Sequence, residues 1–227
     1  MIRALVSAPA LPRATVVRSI AARCLQLHGG ASRTPEKMPV TPTAATVDVM
    51  KCMGDWYVQV AVPTPFDKGA HNGLEQYVWN PRKQQVDVKY TFNDGSFSGK
   101  QTAVYQKGRV NPSSSSGAQW QVKPWLGLFY LPFWLDYTII DVDTSSHLVA
   151  SSPETTGFGA WLYIMTRQKK VSEDFLNPLR ASAAKAGWDM SRAQRVPQGW
   201  CALACSLCVV HTCWLLYRHV RMSFADG

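Results

Sequence analysis

Cysteine is absent from residues 53 to 200 of this 227-residue chain, the part in which regular secondary structure is predicted. Of the six cysteines, Cys24 and Cys52 precede this stretch and the other four follow it. Within the predicted domain, residues 45–197, only Cys52 remains, so no disulfide bond can close inside it. This excludes a small secreted scaffold held together by disulfides and favours a reducing, intracellular compartment.

Acidic residues are absent from the first 35 positions, which carry five arginines and therefore a charge of +5. Residues 199 to 227 contribute +1, so only +3 of the total charge of +9 belongs to residues 36 to 198. That is an ordinary charge for a soluble domain. The basic balance of the whole chain therefore does not indicate nucleic-acid binding, and no nucleic-acid partner is predicted.

The acid-poor, arginine-containing start is typical of an organelle transit peptide. Drawn as a helix, it carries an apolar stripe formed by Val16, Val17, Ile20, Cys24 and Leu27. It lacks a long apolar core followed by a small-residue cleavage site, which disfavours a secretory signal. We predict that residues 1–40 are a mitochondrial transit peptide and linker. An N-terminal tail without a targeting role is the alternative.

Between residues 45 and 197 the sequence has neither a Ser-His-Asp pattern nor a spacing of metal ligands. We therefore predict no catalytic residue, no metal and no other cofactor. Cys52 could act as a nucleophile, but no base stands beside it in the sequence to activate its thiol. An enzyme that depends on Cys52 is the minor alternative to a protein without enzymatic activity.

Aromatic residues are abundant, with 9 tryptophans, 8 tyrosines and 8 phenylalanines, and they favour a β-rich domain with an apolar interior. The first strand is predicted to start at Gly54. Because side chains alternate along a strand, one inward face should carry Trp56, Val58, Val60 and Val62. Residues 85–92 alternate most clearly, and the Asp94-Gly95 pair after them is a strong hairpin signal.

Further strands are predicted over residues 71–79, 97–106, 118–122, 137–142, 147–151 and 161–167. A helix should follow, with Ser172 as its N-cap, Gly187 as its stop and a kink or a late start caused by Pro178. The predicted fold class is all-β. It is an eight-stranded up-and-down antiparallel barrel with one C-terminal α-helix, flanked by the N-terminal leader and a hydrophobic C-terminal helix.

With these elements in place, residues 45–197 resemble the lipocalins, in particular the branch that contains bacterial outer-membrane lipocalin and apolipoprotein D. The family's Gly-x-Trp motif is met by Gly54 and Trp56, and the arginine that ends its last barrel strand by Arg167. The Thr-Asp-Tyr motif is reduced at residues 141–143 to a polar-apolar-polar outline, and the disulfides of that branch are missing. The resemblance implies that Arg167 stacks over Trp56 and closes the barrel floor.

A barrel of this family implies binding, transfer or sequestration of a small hydrophobic ligand, such as a fatty acid or lysophospholipid, near a membrane. The predicted lining residues are Val58, Val60, Tyr77, Trp79, Val88, Tyr90, Tyr105, Trp120, Tyr137 and Ile139. Each could equally be packed core or lie on the outer face, because the register of short strands is open. The alternative is a membrane-tethered structural or assembly protein whose barrel is filled by its own side chains.

Residues 200–217 form a run of eighteen residues without a formal charge. As a helix this run would span about 27 Å, enough for a thin bilayer. We predict that residues 199–222 form a hydrophobic tail, a candidate membrane anchor, which makes a membrane a predicted partner. The alternatives are an interfacial helix, a helix packed on the barrel, and an appendage without function. The aromatic segment 125–134 is interpreted as a buried strand with a corner, in preference to a hydrophobic lip that touches a membrane.

Overall fold

The structure, a computed structural model, describes residues 40–43, 45–153 and 159–199. The predicted transit peptide and the hydrophobic tail from residue 200 onward lie outside the described residues. The predicted domain of residues 45–197 falls almost wholly within them.

Eight antiparallel strands follow one another along the chain. They are β1 (Gly54–Val62), β2 (His71–Asn80), β3 (Gln85–Asn93), β4 (Gln101–Val110), β5 (Gln119–Pro124), β6 (Leu135–Asp143), β7 (His147–Ser152) and β8 (Trp161–Thr166). The remaining elements are a 3₁₀ turn before β1 (Met50–Cys52), helix α1 (Glu173–Lys185), a second 3₁₀ turn (Met190–Arg192) and the short strand β9 (Gln194–Arg195).

The strands close into a barrel. Consecutive strands pair from β2 through to β8, and β1 pairs with both β2 and β8. Closure satisfies the edges that an open sheet would leave unpaired. The alternation predicted for the third strand is found in β3, whose side chains are buried and half-buried in turn. The predicted all-β barrel with one helix is therefore confirmed.

A β-bulge interrupts the first strand. Val58 pairs with Met165 and Val60 with Ile164, so Gln59 is the extra residue of β1. An extra residue reverses the side-chain alternation beyond it. As a result Val58 belongs to the interior cluster, whereas Val60 packs in a second cluster beneath α1. The prediction that these valines share one face with Trp56 is wrong for Val60 and for Val62, which lies in the same outer cluster.

Helix α1 packs on the outer surface of the barrel against β6 and β8. The Ser172 hydroxyl caps it by accepting a hydrogen bond from the Phe175 amide at 3.2 Å. The helix runs through Pro178 from Glu173, so the late start considered from the sequence does not occur. It stops before Gly187, whose φ of +105° is accessible to glycine at little cost, as predicted.

The segment after α1 fills a gap between β1 and β2. Direct pairing of these strands ends at Tyr57 and Leu74, and beyond this point β9 pairs with Val60 and Ala61 of β1. The Gln198 amide donates to the Val58 carbonyl at 2.8 Å and to the Gly73 carbonyl at 2.9 Å, bridging both strands. Residues 194–199 thus complete the barrel wall, a role that the sequence pattern did not predict.

The barrel floor is closed by Arg167, at the end of β8. Its guanidinium carbon lies 3.5 Å from the centroid of the Trp56 ring. The same group donates to three backbone carbonyls within 3.0 Å, those of Lys51, Asp55 and Thr144. The stacking that the family resemblance implies is therefore confirmed, and the hydrogen bonds extend it to three segments of chain.

Replacing Arg167 with lysine should lower the free energy of unfolding by about 2 kcal/mol. Lysine keeps the charge but lacks the planar group that stacks on Trp56 and donates in several directions. Urea denaturation of both proteins measures the difference. The matched control is Arg180→Lys, because Arg180 is a half-buried residue of α1 whose ion pair is with the exposed carboxylate of Glu173. That change should cost less than about 1 kcal/mol. Equal losses from the two substitutions would contradict the role assigned to Arg167 in the floor.

Candidate ligand-binding site

The direction of the strands separates two ends of the barrel. Trp56 and Arg167 mark the floor. The connections after β1, β3, β5 and β7 gather at the opposite end, the mouth. Residues 63–70, 94–100 and 125–134 form three of these connections, and the fourth is described only up to Pro153 and from Gly159. The interior between floor and mouth is the candidate site.

Six aromatic side chains form a continuous chain of ring contacts inside the barrel, which we call the aromatic belt. In order of contact they are Tyr77, Trp120, Tyr137, Trp161, Tyr163 and Tyr90, with successive centroids 4.7 to 6.2 Å apart. They come from β2, β3, β5, β6 and β8. Tilted and stacked rings at these separations attract one another beyond the burial of their area.

Glu75 lies inside the barrel, with 2 % of its surface exposed. The Tyr77 hydroxyl donates to its carboxyl group, and the hydroxyl oxygens of Tyr77 and Tyr137 are 2.7 Å apart. Two belt residues therefore connect to a buried acid. The hydrogen bond from Tyr77 is the one that the described residues give to the Glu75 side chain.

A second acid, Asp67, folds in from the connection between β1 and β2, with 5 % of its surface exposed. It accepts hydrogen bonds from the Thr64 amide at 2.8 Å and from the Tyr163 hydroxyl at 2.7 Å. Among the described residues, no lysine, arginine or histidine pairs with Asp67 or Glu75, and none is buried. The part of the interior formed by the described residues is thus acidic and has no basic side chain.

Burial sets the protonation of these groups. It raises the pKa of Glu75 to about 7; the Tyr77 hydrogen bond opposes the rise and the nearby Asp67 adds to it. Burial also raises the pKa of Asp67, against its hydrogen bonds from Thr64 and Tyr163. The pKa of each belt tyrosine lies well above its ordinary value, chiefly through burial. The tyrosines therefore stay protonated at neutral pH, whereas Glu75 titrates there.

Tyr90 stands directly across from Glu75 in the β2–β3 ladder. Its hydroxyl is buried, and among the described residues it interacts with Tyr163 without reaching hydrogen-bonding geometry. The backbone of Gly73 makes room for it, since a Cβ there would lie 3.3 Å from the hydroxyl and 3.1 Å from Val58. A buried polar atom without a hydrogen bond is uncommon and calls for an explanation.

Of the ten predicted lining residues, seven are buried in the interior cluster: Val58, Tyr77, Val88, Tyr90, Trp120, Tyr137 and Ile139. Trp79 is half-buried against that cluster. Val60 and Tyr105 do not line the interior, and for them the prediction is wrong. The bulge turns Val60 outward, and Tyr105 is 48 % exposed on the outer face of β4, because its neighbour Val104 takes the inward position. Ligand contact by the other eight stays a prediction.

Sequence reasoning missed four interior side chains: Asp67, Glu75, Trp161 and Tyr163. A signal existed for Glu75, because it lies two residues before Tyr77 and four before Trp79 on β2, so all three side chains point to the same side of the strand. Asp67 lies in a connection without periodicity, so no local pattern could place it inside.

Cys52 lies against the floor with its side chain fully buried. Burial raises the pKa of its thiol to about 11, although the nearby Arg167 lowers it and Asp48 raises it further. The thiol therefore stays protonated at neutral pH. The Cys52 carbonyl instead accepts a hydrogen bond from the Trp56 indole at 2.8 Å. Cys52 is therefore a floor residue without the activation that a nucleophile needs. No group of three metal-binding side chains occurs among the described residues.

The connection between β5 and β6 forms part of the mouth. Its preferred interpretation as a buried strand is wrong, because Leu128, Phe129 and Phe133 are 77 %, 57 % and 40 % exposed. With Trp125 they form a group that we call the apolar lip. Cations lie just beneath: Lys107 is 3.7 Å from the ring of Tyr130, and Arg109 is 4.1 Å from that of Trp134.

The closed eight-stranded barrel, with a stacked arginine at its floor and an outer helix, defines a ligand-binding type of barrel. A family model described as a lipocalin-like domain matches residues 47–198. The chain belongs to the lipocalin family. Temperature-induced lipocalin-1 of Arabidopsis thaliana is 22 % identical over 156 residues, covering 67 % of this chain and 80 % of that protein.

Solved structures show the same fold. The amine binding protein of Rhodnius prolixus, determined as its tryptamine complex, is 14 % identical with a TM-score of 0.57, over 70 % of this chain and 85 % of that one. Insecticyanin from the tobacco hornworm Manduca sexta is 10 % identical with a TM-score of 0.56, over 70 % and 85 %. Lobster apocrustacyanin A1 is 18 % identical with a TM-score of 0.51, over 74 % and 94 %.

Replacing Glu75 with glutamine should remove a pH dependence of stability. The folded protein holds a proton on Glu75 up to about pH 7, whereas the unfolded chain releases it near pH 4.5, so the free energy of unfolding falls as the pH rises between these values. The difference corresponds to about 3 kcal/mol. Asp67 acts in the same direction and is present in both proteins, so the two proteins differ through Glu75 and its interaction with Asp67.

Urea denaturation of the wild type and of Glu75→Gln at pH 5 and pH 8 measures this effect. The wild type should lose more stability than the variant over that interval. The same loss in both proteins would show instead that Glu75 is ionised in the folded state throughout.

Proposed function

We propose that this protein binds a small hydrophobic molecule inside the barrel, above the floor, and carries or sequesters it. The aromatic belt is the observation that supports this most directly. Six mutually contacting rings give the interior a wall that can pack against an apolar ligand on several sides. The tryptamine complex of a lipocalin-fold neighbour supports the same use of the barrel.

An alkyl chain or an aromatic ring suits this wall. Each buried methylene contributes about 0.8 kcal/mol before the costs of association and ordering. Fatty acids, lysophospholipids and similar lipids are therefore candidate ligands, with the chain inside the barrel. Transfer or protection of such a molecule follows if it enters and leaves through the mouth.

A membrane is the proposed setting. The apolar lip places Leu128 and Phe129 in solvent at the mouth, with Lys107 and Lys123 close behind, as a surface that meets anionic lipid head groups requires. None of the helices in the described ranges has the length and hydrophobicity that crossing a bilayer requires. Gly199, where the predicted anchor of residues 199–222 would start, lies beside the mouth, and its amide donates to the Asn72 side chain at 2.9 Å.

A second candidate function is a structural or assembly role with a filled barrel. It is favoured by the packing of the interior, in which five of the six belt residues are at most 6 % exposed. A ligand must then separate rings that already contact one another. Direct measurement of ligand binding distinguishes the two functions.

Brominated fatty acids and alcohols should quench the tryptophan fluorescence of the full-length protein at micromolar concentration and with 1:1 stoichiometry, since bromine quenches on contact. Micromolar affinity corresponds to about 8 kcal/mol. Replacing the belt tryptophans, in Trp120→Phe and Trp161→Phe, should reduce the quenched fraction. The control is Trp188→Phe, because Trp188 is buried outside the barrel wall beneath α1 and should contribute nothing to quenching. A folded protein without quenching or bound ligand would favour the filled barrel.

The membrane setting predicts that full-length protein in cells fractionates with mitochondria and stays in the pellet after carbonate extraction. The hydrophobic tail and the arginine-rich start together motivate this expectation. A version truncated after residue 198 should pass into the supernatant. Release of the full-length protein by carbonate would contradict the anchor, and a uniform cytosolic distribution would contradict the organelle.

A further inference from the structure

We propose that the barrel interior binds the protonated amino group of a hydrophobic amine, with Glu75 as its counter-ion and with Asp67 and the Tyr90 hydroxyl as further acceptors. This inference rests on the proposed function and names the class of ligand within it. It predicts a preference for cationic over neutral and anionic molecules of the same apolar bulk.

The first step is the imbalance of charge inside the barrel. Glu75 and Asp67 are 2 % and 5 % exposed, and the described residues bring no basic side chain to either. Buried carboxyl groups in proteins are normally matched by a cation or a full set of hydrogen bonds. A ligand that carries a positive charge would supply the missing partner.

The second step is the spare capacity of Glu75. An ionised carboxylate can accept about four hydrogen bonds, and the described residues offer Glu75 one, from the Tyr77 hydroxyl. Asp67 is better supplied, because Thr64 and Tyr163 both donate to it. Glu75 is therefore the acid whose hydrogen bonding is the less complete and the one that gains more from an ammonium group.

The third step is independent of the acids. The Tyr90 hydroxyl is buried and stands across the ladder from Glu75, and among the described residues its interaction with Tyr163 falls short of hydrogen-bonding geometry, so the oxygen is open to a donor. Its ring lies 5.5 Å from that of Tyr163, whose hydroxyl holds Asp67. Glu75, Tyr90 and Asp67 thus follow one another along one side of the interior. An ammonium group has three N–H donors and no acceptor, so it suits a surface of oxygen acceptors.

The aromatic belt favours the same ligand class. The faces of tyrosine and tryptophan rings attract a cation, and this attraction is greater where water is excluded. A carboxylate or phosphate at the same depth would meet Glu75 and Asp67 without a basic residue to offset the repulsion. An anionic amphiphile is thereby restricted to poses with its head group at the mouth.

The test compares decylamine, decanol and decanoic acid at pH 7.5, each below its micellar concentration, by isothermal titration calorimetry with the full-length protein. The three share one chain length and differ in the charge of the head group. We expect the amine to bind at least tenfold more tightly than the alcohol, and the acid more weakly than the alcohol. In Glu75→Gln the advantage of the amine should fall at least tenfold while the affinity for the alcohol stays the same.

Proton release gives a second readout. The titratable groups that face Glu75 are Tyr77, Tyr90, Tyr137 and Asp67, and the tyrosines keep their protons in this range. Because an ammonium favours the ionised carboxylate, amine binding near pH 7 should release part of a proton from Glu75 to the buffer. Titrations in two buffers of different ionisation enthalpy measure that release, and it should vanish in Glu75→Gln.

The controls separate this inference from the proposed function. Asp174→Asn removes an acid at the exposed start of α1 and should change none of the three affinities. If Glu75→Gln does not fold, Tyr90→Phe removes only the ring hydroxyl and should weaken the amine several-fold without affecting the alcohol. Equal binding of all three molecules, or an amine preference that survives in Glu75→Gln, would overturn the inference but leave ligand binding intact. Binding of none would overturn the proposed function itself.

Discussion

The stacking of Arg167 on Trp56 is the interaction on which the rest of the barrel depends. One guanidinium lies 3.5 Å from the indole and donates to carbonyls of the 3₁₀ turn, of β1 and of the β6–β7 connection. It therefore holds together segments that are more than a hundred residues apart in the chain. Gly54 permits this approach, since a Cβ there would lie 3.2 Å from the guanidinium in a conformation with φ of +100°. The glycine and the tryptophan of the Gly-x-Trp motif therefore both serve the same contact with Arg167.

Above this floor, part of the barrel wall carries apolar side chains on both faces, one toward the interior and one toward α1. The bulge in β1 turns Val60 outward, and Ile140 of β6 points outward because it follows the inward Ile139. Both pack in the outer cluster with Leu176 of α1, while Val58 and Ile139 remain inside. Helix α1 covers that outer patch with an apolar stripe of its own, formed by Leu176, Leu179 and Ala183. Residues 194–199 then complete the wall where β1 and β2 separate. The barrel wall therefore depends on α1 and residues 194–199 as well as on its eight long strands.

The interior combines an aromatic wall with two acids, and this combination has a cost. An ionised Glu75 without a basic partner destabilises the folded protein, which is why its pKa rises to about 7. Proteins accept such groups where binding requires them, and a site with a perturbed acid in an enclosed space is a functional candidate on physical grounds. The acids therefore argue for recognition of a particular class of ligand more strongly than the rings do.

Much of this could be predicted from the sequence, because the signals are local. Alternation along β3, the Asp-Gly turn, the capped helix and the Gly-x-Trp start each depend on residues close together in the chain. Seven of the interior side chains follow from the same alternation.

The errors at Val60 and Tyr105 have a different origin. At these positions the side of the strand on which a residue lies depends on a bulge or on the pairing of neighbouring strands, which the pattern of one strand does not contain. The barrel and the helix follow from the residue pattern, whereas the contact of Arg167 with Trp56 follows from the resemblance to the lipocalins and not from spacing. Only the tertiary structure decided that Glu75 and Asp67 lie together inside, that Tyr90 stands beside them without a partner at hydrogen-bonding geometry among the described residues, and that residues 194–199 close the wall. The physical reason is that burial and charge balance depend on which distant segments meet. These are properties of the closed barrel, and the pattern of one strand does not contain them.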